Sequence, residues 1–578
     1  MMAPADSSSG GMERVIFLFL RRMRAPLILL ILTYSISISG LVLIPGVDDA
    51  GNPWRYDFFH AFYFVSFMGP TIGFGEIPYA LTPAQRMWVT FAIYLTVLSW
   101  LYAIGKIFAL IQDPAFSRAI TEARFIRAVR AIREPFYVVC GYGETGSLLV
   151  RSLTNRQIRC VVIDRDPENI ASLHLEELAL DVPSFCGDAS ATQHLKEAGL
   201  RLDHCIGIIA ITDDDAANVK IAVTCKLLRP DLRVICRAAS RAAANNMESF
   251  ATDHIIDPFE SFAEHMGMAI RVPSIHLLHR WLVTLPGHKL EPRLNPPQGN
   301  WVICGYGRFG QAMARHLAAV DNRISVIEAD GERIKALGGQ VPDDVIIGSG
   351  TDPEPLHEAG VESAVGIIAG TENDANNLSV IMTAREMCED IFLVARQNRR
   401  ADADIFKAAK VDLVMEPSRV IVWQILALVT MPLLSDFLSL ARRQDDDWAH
   451  ALLERLRRMT GNRSPQTWCD LLDARHAPAF MTLHAAGQEV ALAALLRDPL
   501  QPRRSLPGVA LLHERGQERT LLPAPETVLA PGDRILWAAR EGFRERLAWL
   551  LHNPQQLEYL TTGVEQPAST IGRAILGP

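Results

Sequence analysis

The sequence offers little that could build a disulfide framework, a zinc site or a nucleic-acid surface. Its nine cysteines all lie at or beyond Cys140, and no two are spaced as C-x-x-C. That excludes a zinc ribbon or a dithiol redox centre and reads as reduced thiols of a cytosolic region. Acidic residues outnumber basic ones, 65 to 57, for a net charge of -8, which argues against nucleic acid as a partner. Long apolar runs are few. Only Ala25–Ile44 and Met87–Gly105 qualify, too few for a polytopic carrier in a chain that is 21% charged. Neither run carries an arginine ladder, which excludes a voltage sensor. The sixteen histidines are scattered, without an obvious His/Asp or Lys/Tyr set, so no catalytic residues are assigned and the chain reads as a non-enzyme.

What is present divides the 578 residues into several units. The first apolar run has no charged residue over about 20 positions, enough for a hydrocarbon core of roughly 30 Å. A cleaved signal peptide with Arg21, Arg22 and Arg24 as its basic region is the alternative; the run is too long for one and no small-residue cleavage site follows. Arg14, Arg21, Arg22 and Arg24 precede this span, and Lys106, Arg118, Arg124, Arg127, Arg130 and Arg133 follow the second. The positive-inside rule then places both termini in the cytoplasm of a plasma-membrane protein, the inner membrane in a prokaryote. The expected organisation is a cytosolic segment 1–24 and a pore domain 25–115, with spans 25–46 and 83–111, a re-entrant helix 56–69 and a strand 71–75. A linker 116–134, a first α/β domain 135–290, a second 299–444 and a C-terminal subdomain and tail 445–578 follow.

Between the spans, an aromatic-rich segment leads into Thr71-Ile72-Gly73-Phe74-Gly75. Alternate glycines let a backbone aim successive carbonyls at one axis, because Gly reaches positive φ without a Cβ clash. This unit resembles the two-span potassium channels over residues 25–112. The resemblance implies that the Thr71 hydroxyl and the carbonyls of Thr71, Ile72, Gly73 and Phe74 replace the hydration shell of K⁺. With one such segment per chain it also implies a homotetramer. Phe74 stands for the commoner tyrosine, Glu76 for aspartate and Pro70 for a second threonine. The family's usual inner-helix glycine is missing from Leu95–Ser99. Gly105, two to three turns lower, is either a displaced gating hinge or a small residue near a helix end. Arg124, Arg127, Arg130 and Arg133 form a basic stripe on a helix that either faces lipid headgroups or acts in gating.

From Pro135 strands and helices alternate, the pattern of a doubly wound parallel sheet. Phe136–Cys140 runs into Gly141-Tyr142-Gly143-Glu144-Thr145-Gly146, and the next strand ends in Asp164. The glycines allow a pyrophosphate to approach a helix N-terminus, and the acid can hold a ribose hydroxyl. The unit recurs about 160 residues later, with Gly305-Tyr306-Gly307-Arg308-Phe309-Gly310 and Glu328. Thr212 and Asn218 answer Thr371 and Asn377, Arg237 answers Arg396, and Asp257-Pro258 answers Glu416-Pro417. The cytosolic region is an internal duplication.

Tandem lobes behind a two-span pore resemble the RCK domains, regulators of potassium conductance related to the regulatory subunits of Trk and Ktr transporters. The resemblance implies an adenine nucleotide such as NAD or ADP as ligand, and eight lobes from four chains forming a gating ring. The apolar stretches Phe259–Leu285 and Ser418–Leu440 would cross between paired lobes in that family; as core helices of a single lobe they would read the same. Glu144 opposes a pyrophosphate in the first copy, which keeps Asp164 and Asp188, whereas Arg308 favours one in the second. The nucleotide is therefore expected more in the second copy. The family's Ca²⁺ ligands fall at Arg237 and Ala239, which cannot bind a cation; whether another divalent ion acts stays open. Asp213–Asp215 and Asp445–Asp447 read as turn and helix-end residues.

After residue 445, short strands around Pro507-Gly508 and Pro531-Gly532 form a small α+β subdomain, and nothing is assigned after about 553. The reading is a ligand-gated K⁺ channel embedded in lipid. A non-selective cation channel with the same gating and a membrane-bound NAD-dependent oxidoreductase are the alternatives.

Overall fold

Two long helices, a short one between them and two tandem α/β lobes make up the structure, a computed structural model that describes residues 10–73, 75–283, 287–289, 293–338 and 341–564. The first helix runs Gly10–Leu43 and contains a candidate membrane span, Phe19–Leu43. It starts well before the expected 25 because nothing in the arginine-bearing segment breaks it. It stops short of 46 because Pro45 forbids helix at the residue before it. The second span, Pro83–Ile111, opens on a capping box between Thr82 and Gln85, with Pro83 in the first turn. The spans pack closely: a Cβ on Gly40 would lie 1.9 Å from the Trp88 ring, and the Thr33 and Ser99 hydroxyls meet at 2.9 Å.

The segment expected as a linker is a helix, Pro114–Ala131, capped by Asp113. It is no free tether, since Phe125 and Val129 are buried in the core of the first lobe. Two residues, Gln112 and Asp113, separate the end of the second span from the start of this helix, and Arg22 of the first helix pairs with Asp113 at 2.7 Å.

Each lobe is a six-stranded parallel sheet with spatial order 3-2-1-4-5-6, built from Phe136–Cys140, Arg159–Asp164, Ser184–Cys186, Cys205–Ala210, Arg233–Arg237 and His254–Ile256 in the first lobe. The second lobe repeats the order from Asn300–Cys304 to Leu413–Met415. Strand order reverses beside the first strand, where Cys140 pairs with Ile163 on one side and Ala210 on the other. That crevice is where a doubly wound sheet holds a ligand.

The apolar stretches after each lobe are helical hairpins that cross over. Pro258–Arg271 and Pro273–Val283 follow the first lobe, yet Phe259, Phe262, Ala263 and Met266 pack into the second lobe's core. Pro417–Thr430 follows the second lobe, yet Ile421, Val422, Ile425 and Leu426 lie against the first. Pro417–Thr430 and Leu433–Ala441 bend by 114°. The second arms of both hairpins share one core with the helix Asp446–Thr460 and the C-terminal sheet. That sheet is antiparallel, in the spatial order Gln466–Leu471, Arg534–Ala539, Gly508–Arg515, Glu518–Leu521. Beyond 553, where the sequence carried no signal, a helix Pro554–Thr562 buries Leu557 and Leu560 against the subdomain.

Candidate functional site

The re-entrant helix, Phe58–Met68, is capped by Asp57, whose carboxylate accepts from the His60 N–H. Thr71, Gly73 and Gly75 follow with φ of 66°, 67° and 96°; Phe74 lies outside the described residues. The alternation of left-handed positions is tolerated by the glycines but strains a β-branched threonine, a kind of outlier that clusters at functional sites. A Cβ on Gly73 or Gly75 would meet nothing within 4 Å, so these backbones face open space in the single chain. The end of this segment is tied down. Arg86 donates to both Glu76 oxygens at 2.9 and 3.1 Å, Glu76 also accepts from the Leu81 N–H, and Tyr56 donates to the Ile77 carbonyl at 2.6 Å. Glu76, which departs from the usual aspartate, thereby fastens the end of this segment to the start of the second span.

In the first lobe, Gly141 has φ 106°, and a Cβ on Gly146 would fall 2.1 Å from the Gly141 carbonyl, so both glycines are obligatory. Gly143 faces open space at a helix N-terminus that no side chain caps. This loop opens into a cleft of about 800 Å³, within the usual range for small-molecule sites. Asp164 sits at its base, accepting from the Tyr142 and Asp166 N–H groups. Asp188 accepts from Ser190, which holds its carboxyl below the usual range. The Thr212 hydroxyl is engaged with Asn218, whose amide reaches the Thr212 and Arg237 carbonyls. Thr212 therefore shapes the cleft wall through its backbone.

The second lobe's side chains complete this cleft: Arg396, Asn398 and Ser418 line it beside Lys220 and Arg237. Ser418 is within 2.9 Å of the Thr145 hydroxyl. Buried Nε atoms of Arg237 and Arg396 lack hydrogen-bond partners, and burial lowers the Arg396 guanidinium below its usual range. Two under-satisfied guanidiniums in a cleft with a bare helix N-terminus fit an anionic ligand.

In the second lobe the loop is repeated, Gly307 facing open space as Gly143 does, but an aromatic side chain stands beside it. Gly305 (φ 94°), Gly307 and Gly310 repeat the loop geometry, and Glu328 accepts from the Tyr306 and Asp330 N–H groups. Thr371 repeats the bond to Asn377 at 2.7 Å. The ring of Phe259, on the first crossover hairpin, has the guanidiniums of Arg308 and Arg396 5.2 and 4.9 Å from its centre and the Phe309 ring at 6.0 Å. Arg308 also donates to the Ala239 carbonyl at 2.5 Å. Arg308, the residue expected to mark the better nucleotide site, thus has one of its donors turned to the other lobe's backbone. The position answering Phe259 in the other half is Ser418, and the small residue leaves the first cleft open.

Gly105 sits inside the continuous second span with nothing within 4 Å of a built Cβ, so packing does not require glycine there. Asp213 pairs with Arg237, Asp214 caps the next helix and Asp215 accepts from the Ala239 N–H. Among the described residues no group of three or more His, Cys, Asp or Glu is placed to hold a metal ion. Arg396, Asn398, Ser418 and Lys220 were not singled out from the sequence as ligand residues; the one available signal was the repeat that pairs Arg237 with Arg396.

Residues 137–258 and 301–417 each match the family profile of the TrkA-N domain. Potassium channel protein 1 of Methanocaldococcus jannaschii is 25% identical over 232 residues, 40% of this chain and 67% of that protein. Probable potassium channel protein 2 of the same organism is 26% identical over 235 residues, 40% of this chain and 63% of that one. The chain thus spans about two thirds of the length of these curated relatives. A solved structure described as the GsuK channel bound to NAD aligns with 93% of this chain and all of that one, at 16% identity and a TM-score of 0.47. Homologues of this chain are therefore potassium channel proteins, and its two lobes are of the TrkA-N kind.

Proposed function

We propose that this chain is one quarter of a potassium-selective channel whose opening is set by an adenine nucleotide, NAD- or ADP-like, bound in the first-lobe cleft. The observation that carries the reading is the joint presence, in one chain, of a segment with alternating left-handed φ between two spans and a cleft lined by both lobes. Four chains would bring four Thr71–Gly75 segments around one axis, and their eight lobes would form a cytosolic ring. The exposed apolar faces of the spans would meet lipid and neighbouring chains.

The coupling route is short. The helix Pro114–Ala131 is rooted in the first lobe by Phe125 and Val129 and begins three residues after the second span. A ligand that favours one setting of the lobes would shift that helix and with it the pore-lining span. It can do so only by its differential affinity for the two settings.

Reconstitution in bilayers tests this. Reversal potentials should follow the K⁺ gradient rather than the Na⁺ gradient, and open probability should change with NAD⁺, NADH, ADP or ATP on the cytosolic side. Equal K⁺ and Na⁺ permeability sinks the selectivity; indifference to all four nucleotides sinks the gating. Mass spectrometry of small molecules retained by the purified protein identifies the ligand independently.

A further inference from the structure

A second cavity, again about 800 Å³, lies between the two crossover hairpins, and four histidines line it. His265 belongs to the helix Pro258–Arg271, and His276 and His279 to Pro273–Val283. The His265 ring centre is 4.5 Å from that of His279 and 6.2 Å from that of His276. The buried Nε2 of His265 has no hydrogen-bond partner. His254 approaches from the edge strand of the first lobe.

Among the described residues, the carboxylates near this cluster already have partners of their own. On the hairpin itself Glu264 is paired with Arg442, which arrives from the other hairpin, and Arg280 adds a second positive charge. Glu416 of the second hairpin faces its own Arg419. Asp253 is held by Lys226, Asp412 by the Leu393 N–H, Asp436 by Arg519 and Asp446 by Ser274. The cluster is a set of neutral imidazoles in an arginine-bordered interface between lobes.

We propose that His265, His276 and His279 form a proton-sensitive latch, closed while the imidazoles are neutral and opened by acid, which separates the crossover hairpins of the paired lobes. Burial, with Arg442, Arg280 and the neighbouring rings, lowers His265 to about 3 and His276 to about 4, and drives His279 well below its usual range. A histidine whose charged form is disfavoured in the closed pair and free to form in the open one stabilises closure fully above its ordinary value of about 6.5. That contribution is lost as pH falls below about 6.5, and the loss continues down towards the lowered values. One pH unit below 6.5 the closed-to-open ratio drops about tenfold per histidine, and by up to about a thousandfold for three. The latch does not depend on the channel reading, since it concerns only the lobe interface.

The full chain in detergent tests it by amide hydrogen exchange. After correction for intrinsic rates, protection of 258–283 and 417–441 should fall well over tenfold, by up to about a thousandfold, between pH 7.5 and 5.5. The double variant H265Q/H279Q should reduce that fall to no more than the about tenfold that His276 alone supplies. Should the variant misfold, histidine C2-hydrogen exchange in the wild type replaces it: His265, His276 and His279 should exchange slowly, with midpoints below about 6.5. Protection that does not change with pH, an unchanged pH dependence in a folded variant, or ordinary midpoints with fast exchange would each overturn the latch.

Discussion

At the scale of single residues, the decisive contrast is between Arg396 and Arg308. Both flank Phe259, but Arg308 donates to the Ala239 carbonyl, whereas Arg396 lines the open cleft with its Nε unpartnered. A hydrogen bond to a charged group contributes roughly 1.5–3 kcal/mol. R396Q should therefore weaken nucleotide binding by about 10- to 100-fold, while R308Q should leave it within about threefold and loosen the lobe interface instead. Isothermal titration of the full chain decides, and the opposite ranking would return the ligand to the second lobe. Gly143 supplies a steric version of the same test. Its open face should be blocked in G143V, abolishing binding, and G307V should have no such effect. The acids at the strand ends and the glycine loops were legible from the sequence because their spacing is local. Which cleft stays open was not, because it depends on whether Phe259 or Ser418 is presented to it, residues 46 and 272 positions from the loops they face.

At the scale of elements, the crossover hairpins do most to join the two lobes. Ile425 is fully buried in the first lobe although its helix follows the second. I425A should cost about 2–5 kcal/mol, the usual range for emptying a buried aliphatic site. The loss should register in the first lobe, as lowered hydrogen-exchange protection of Glu144–Asn155. Unchanged protection there would mean that the helix stabilises only its own lobe. The sequence showed these helices as long apolar stretches but left two homes for them, because an amphipathic face has the same period against any core. The strands were easier, since parallel strands buried on both faces read as continuous hydrophobic runs. Pro554–Thr562 escaped notice because two leucines three positions apart in a polar segment are too weak a pattern to separate from a tail.

At the scale of the whole molecule, the proposed function needs more than one chain. A Cβ built on Gly73 or Gly75 would meet nothing within 4 Å, and both spans carry exposed apolar side chains, among them Ile31, Leu32, Tyr94, Leu98 and Leu101. Carbonyls replace a hydration shell only when several strands converge, and a closed ring of identical chains is the ordinary way to bring them together. The proposed tetramer makes a quantitative claim that a dimer does not. Gly73 has φ 67°, which L side chains rarely adopt, so G73V should produce chains that assemble but do not conduct. Suppose that one such chain silences a pore and that equal amounts of wild type and variant mix at random. Four-chain channels should then retain about one sixteenth of the wild-type current, and two-chain channels about one quarter. Native mass spectrometry of the same preparation should give a particle four times the 64.0 kDa chain. A residual current near one quarter, with a particle of half that mass, would rule out the fourfold pore while leaving the nucleotide cleft untouched, since that cleft is built within a single chain.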